Sequence, residues 1–109
     1  MFKLVKERKV KDWPVDVAVP LDGGEVKKFS MTLDFKLVGS DEFRALSQGG
    51  DSKLFGEVVT GWSGIQDESG EPLAFTKENL KAACQNQQFT AGALSAYMKV
   101  MSGTASTKN

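Results

Sequence analysis

Histidine is absent from the chain, and that absence removes most familiar catalytic sets. Ser-His-Asp and Cys-His relays and the commonest zinc sites depend on imidazole, which exchanges a proton near neutral pH or binds a metal. Carboxylate or lysine chemistry would survive the loss, but no phosphate loop, dinucleotide fingerprint or acidic run of calcium-loop spacing is there to frame it. Asp67 and Glu68 come nearest to an acid–base pair. They stand among Ser69, Gly70 and Pro72, the residue types of a solvated turn. The single cysteine, Cys84, lies in an apolar stripe and reads as a small core residue rather than a nucleophile. Without a second cysteine no internal disulfide can form, which fits a reducing compartment. The expectation is a protein that is not an enzyme, needs no cofactor or metal, and works through its surfaces.

The stretch Val58–Leu80 would organise such surfaces. Leu54, Phe55, Val58, Val59 and Trp62 recur at helical spacing and predict a short helix ending near Trp62, capped at its start by Ser52 or, in second place, Asp51. Gly56 within it weakens the helix but would let another element come close. Gly61 and Gly64 flank Trp62 and Ser63, and Asp67 to Pro72 form a turn. Leu73 and Phe75 then return the chain to the core. Thr76 is a good N-cap, and Phe75 and Leu80 stand on either side of it as a hydrophobic staple.

Upstream, Trp13, Val15, Val17, Val19 and Leu21 alternate with polar residues and prolines, predicting a strand over residues 13–21. Pro14 and Pro20 make it an edge strand, or one paired on a single side over part of its length. Asp22, Gly23 and Gly24 turn the chain into a second strand over 25–37, with Phe29, Met31, Leu33, Phe35 and Leu37 inward. A hairpin alone is marginal in water, so helices or another subunit must cover that face; Phe2–Val10 is the candidate for a third strand. The charged run from Lys6 to Lys9 reads as a solvated strand end or frayed terminus ahead of a partner patch. Ser40, followed by Asp41 and Glu42, starts a helix that turns Phe43 and Leu46 inward and ends by Gly49 and Gly50.

After the Thr76 cap, Leu80, Ala83 and Cys84 continue the buried stripe, and polar residues with Thr90 and Gly92 predict a break between Asn86 and Thr90. Phe89, Ala93, Leu94, Tyr97, Met98 and Met101 form a last stripe, while Ala91, Gly92, Ala93 and Ala96 permit close packing. Strands come first and helices second. The fold class is therefore α+β: a small N-terminal antiparallel sheet of two to four strands against three or four C-terminal helices, in one domain over 1–103 with a disordered polar tail at 104–109.

Composition agrees with a globular chain. Its 109 residues are 40% apolar and 26% charged, and 14 basic residues balance 14 acidic ones. A net charge of zero gives bulk nucleic-acid binding no support. No run is long or apolar enough to span a membrane, and the N-terminus lacks a signal-peptide centre, so a cytoplasmic protein is expected.

Across residues 15–103 the chain resembles the tail assembly chaperones of tailed bacteriophages and prophages. The likeness rests on the hairpin VAVPLDGGEVKKFSMTLDFKL and on Val58, Trp62, Gly64, Asp67, Gly70, Pro72, Leu73, Phe75, Thr76, Leu80, Ala93, Leu94, Ala96 and Tyr97. It is a sparse pattern of turn and core positions without a catalytic signature. The resemblance implies a non-enzymatic assembly factor that binds the tape measure protein, keeps its helices from aggregating and helps recruit tail tube subunits. It also implies absence from the finished particle and, in many members, a longer frameshifted form. A partner surface is then expected from Trp62, Phe89, Leu94, Tyr97, Met98 and Met101, buried by client or by self-association; methionine suits it because its unbranched side chain adapts to varied partners. The alternative is a structural tail or head-completion protein that stays in the particle, and a third reading is a small domain that binds one host protein.

Overall fold

The fold, described from a computed structural model for residues 1–5 and 7–106, is α+β. Two strands, β1 (Arg8–Pro20) and β2 (Val26–Leu37), form a long antiparallel hairpin closed by a 3-10 turn at Asp22–Gly24, where Gly23 and Gly24 take positive φ. Helices α1 (Ser40–Gln48) and α2 (Asp51–Val58) follow, then strand β3 (Val59–Ser63), then helices α3 (Lys77–Ala83) and α4 (Gln87–Ser102). The sheet order is β1-β2-β3, entirely antiparallel.

The third strand is not the N-terminal segment. Residues 1–5 adopt no regular structure, and β3 takes the place beside β2, with Leu33 opposite Trp62 and Phe35 opposite Val59. The helical stripe expected to run from Leu54 to Trp62 therefore ends at Val58, and Val59 begins the strand directly. Leu54, Phe55 and Val58 are buried as a helix face, whereas Val59 and Trp62 are placed by pairing to β2.

In β1 the inward face includes Val10, Trp13, Val15 and Val17. The odd step from Val10 to Trp13 is possible because the register shifts there. Asp12 takes φ 54° at the bulge, a left-handed conformation that Asp tolerates better than most residues. Its N–H donates to Asp34 Oδ1 at 2.8 Å, fastening the bulge to β2. On β2, Met31, Leu33 and Phe35 are buried as the alternation predicts, but Phe29 is 48% exposed because β3 covers only Thr32 to Phe35.

Helix ends follow a mixed rule. Thr76 Oγ1 accepts from the Asn79 N–H at 3.0 Å, the predicted cap, and Asn86 Oδ1 accepts from the Phe89 N–H at 2.8 Å. The break before α4 thus falls over Cys84–Asn86, slightly earlier than expected, and Thr90 and Gly92 lie inside α4. Ser40 and Ser52 do not cap. Gly39 and Gly50 occupy the cap positions of α1 and α2, without a side-chain hydrogen bond. Gly56 has open space where a side chain would go, so it serves no close approach.

One core cluster joins the sheet to α2, α3 and α4. Leu33, Phe35, Phe55, Val58, Ala93 and Tyr97 have no measurable exposure, and Cys84 is buried with them. Burial raises the Cys84 thiol above its ordinary pKa, reinforced by the nearby Asp51 carboxylate and opposed by a hydrogen bond to Ser52. Among the described residues no helix is long and apolar enough to cross a membrane. Residues 107–109 of the expected disordered tail lie outside the described residues; Thr104, at its start, donates its N–H to Lys99 O at 2.9 Å.

Candidate partner-binding surface

α4 packs directly against β1, with no room for a side chain at Gly92. A Cβ on Gly92 would come 2.7 Å from the Asp16 carbonyl oxygen and 3.4 Å from Val15 Cγ1. Ala93 and Ala96 are buried as well, so Gly92, Ala93 and Ala96 face the core while Ala91 does not.

The large aromatic residues of α4 are spent inside the fold, against β2, α1 and β3. Tyr97 is fully buried; its hydroxyl donates to Lys36 O at 2.9 Å and accepts from the Val38 N–H at 3.3 Å. Its ring meets Phe35 edge-on at 5.1 Å and stacks on Phe43 at 5.9 Å. Desolvation holds the phenol above its ordinary pKa, with the Val38 hydrogen bond opposing it. Phe89 is 6% exposed and lies 6.4 Å from Trp62. Phe89 and Tyr97 therefore belong to the core, and the structure corrects their expected place on a partner surface.

Trp62 has a structural role as well. Its indole N–H donates to Leu73 O at 2.8 Å, and its ring meets Phe75 edge-on at 5.1 Å. The loop it holds is closed by paired backbone bonds, Asp67 N to Glu71 O and Leu73 N to Ile65 O, both 2.9 Å. Within that loop Asp67 Oδ1 accepts from the Ser69 hydroxyl at 2.7 Å, the Ser69 N–H at 2.9 Å and the Glu71 N–H at 3.1 Å. The Ser69 hydroxyl, followed by the Glu71 N–H, holds the Asp67 carboxyl below its ordinary pKa. Asp67 is the organiser of a turn, and Glu68 makes no bond with it. Gly64 and Gly70 take φ 86° and 85°, so the turn needs both glycines.

What remains outside is a line on α4. Leu94 and Met98 are 38% and 49% exposed, Ala91 is exposed, and Met101 is half-buried against the core. The spacing 91, 94, 98, 101 is three, four, three, the period at which a second helix can set its side chains into the first. Burying what Leu94 and Met98 still expose, 38% and 49%, would contribute about 0.5–1.5 kcal/mol each. The expected residues thus separate into an accessible set, Leu94, Met98 and part of Met101, and a set held inside or at the loop, Phe89, Tyr97 and Trp62. An even polarity around α4 hid this division in the sequence.

A second feature was not legible in the sequence. Beneath the outer half of the hairpin, where β3 has ended, lies a groove of about 750 Å³. Val17, Val19, Phe29, Ile65, Leu73 and Phe89 line it, and Asp67 and Glu68 stand among its lining residues. Among the described residues no group of three or more metal-ligating side chains comes together. Comparison with known protein families, with curated proteins and with solved structures finds no match.

Proposed function

We propose that the chain is a tail assembly chaperone of a tailed bacteriophage or prophage, acting in the bacterial cytoplasm without catalysis. Its client is the tape measure protein, a long helical chain that aggregates when its apolar faces are bare, and its second partner is the tail tube protein. The observation that carries the reading is the line Ala91, Leu94 and Met98, exposed on α4 and continued by half-buried Met101. A helix whose buried face is already committed to β1 keeps a second apolar face in water, at the spacing another helix can use. Two of its side chains are methionines, which adapt to a series of similar client segments. The turn and core positions that resemble the family support the same reading. Trp62, Asp67, Gly64, Gly70 and Thr76 each have a defined structural job in the loop or at the helix it leads into.

Co-expression with a phage tape measure protein tests the proposal. The client should become soluble and co-purify with the wild-type chain, and both effects should disappear with Leu94→Asp/Met98→Glu. A client indifferent to the chain overturns the reading. Recovery of the chain from purified particles would instead assign it to the structural components.

A further inference from the structure

We propose that the open edge of β2 at Val26–Phe29 is a strand-addition site for an extended segment of another protein in which apolar residues alternate with acids. The inference stands apart from the identity of any client.

The two outer edges of the sheet differ. On β1, Pro14 and Pro20 withhold backbone donors, and α4 packs directly on the strand where Gly92 meets the Asp16 carbonyl. On β2 the partner strand leaves early. β3 pairs with Thr32–Phe35, and Gly64, just after β3, still passes beside Met31, whose Cα lies 3.3 Å from where a Gly64 Cβ would stand. Beyond that point, among the described residues, no strand pairs with Val26–Phe29 on the side away from β1, and the segment holds no proline. Such an edge beside an apolar groove suits an extended chain, whose main-chain groups it can pair.

The two faces of the edge set the side chains of the added strand. On the groove face stand Phe29, 48% exposed, and Val17, Val19 and Ile65. Asp67 and Glu68 also line the groove and disfavour carboxylates there, so the inward positions are apolar. Lys28 lies on the other face, in a separate cleft with Ser30 and Thr32, and that face takes the acids. Asp16 shares this cleft, but its Oδ1 accepts from the Ser30 hydroxyl at 3.2 Å. Among the described residues neither Lys27 nor Lys28 forms an ion pair; Lys27 stands over the Phe29 ring, 5.1 Å from its centroid.

The same lysines exclude a second copy. Two copies paired antiparallel about the centre of this segment would set Lys27 of each against Lys28 of the other, and like charges directly opposite are destabilising. The edge is therefore barred to itself and open to a strand with acids opposite.

Two short synthetic peptides test it, one alternating valine with glutamate and the other valine with lysine, each added to the isotope-labelled full chain. The glutamate peptide should shift the amide resonances of Val26–Phe29 and Ile65 and bind roughly tenfold tighter than the lysine peptide. Methylating its alternate backbone nitrogens should abolish the shifts, because strand pairing needs main-chain donors. Lys27→Glu/Lys28→Glu, at two exposed positions, should invert the preference with unchanged circular dichroism. No shifts at about 1 mM peptide, equal binding of the two peptides, full binding by the methylated one, or a preference that the double substitution leaves in place would each overturn the proposal.

Discussion

The Tyr97 hydroxyl donates to the carbonyl of Lys36 at 2.9 Å, joining the last helix to the end of β2 across 61 residues of sequence. The same oxygen accepts from the Val38 N–H, so one side chain satisfies two backbone groups where the sheet gives way to α1. Tyr97→Phe keeps the ring contacts with Phe35 and Phe43 and removes both bonds. Unfolding in denaturant should show a loss of about 1–3 kcal/mol, since the buried backbone groups are left without that partner.

Two glycines in helices should respond to alanine with opposite signs. At Gly92 the new methyl meets the Asp16 carbonyl at 2.7 Å, and the backbone of a strand paired to its neighbour cannot move aside cheaply. Gly92→Ala should cost about 1–3 kcal/mol despite its gain in helix propensity. Gly56 meets nothing within 4 Å, so Gly56→Ala should stabilise by about 0.5–1 kcal/mol. Thermal unfolding of the two variants checks both signs.

Leu94→Ser and Met98→Ser should each cost only about 1 kcal/mol, because both side chains are partly exposed and forfeit only the part they bury. Phe89→Ser, at a buried position of the same helix, should cost several-fold more, on the order of 3 kcal/mol or above. Parallel denaturant curves and client-solubility assays should therefore separate fold from binding. A large stability loss at Leu94 or Met98 would return the exposed line to the core.

The loop closed by Asp67 should loosen in acid. Its carboxyl has a folded pKa below the unfolded value, so its contribution is fully present above the unfolded pKa and is lost as pH falls through the folded one. The window lies at and below the ordinary aspartate range. Hydrogen exchange at the Ser69 and Glu71 amides, both of which donate to Asp67, should accelerate there relative to the same amides in a chain unable to titrate at this position, Asp67→Asn.

Cys84 should resist thiol reagents in the folded chain and react at a normal rate once denatured. Burial and the Asp51 carboxylate both disfavour its thiolate. A fast reaction in native buffer, measured by release of a coloured thiol leaving group, would show that α3 and its neighbours open readily.

Much of this molecule could be read from local chemistry. The hairpin follows from a period of two on either side of Asp22–Gly24, the end of α1 from Gly49 and Gly50, and the start of α3 from Thr76, whose hydroxyl needs only the amide three residues on. These signals act within a few residues, so sequence alone determined them. β3 was different. Leu54, Phe55, Val58, Val59 and Trp62 fit one turn of helix after another, but a strand is fixed by its partner, and β2 lies more than twenty residues away. The surface of α4 was also undecided locally, because apolar and small residues surround the helix. Only the docking of Gly92 on β1 turned Phe89 and Tyr97 inward and left Leu94 and Met98 in water. An isolated helix has no inside, and the sheet against which it packs supplies one.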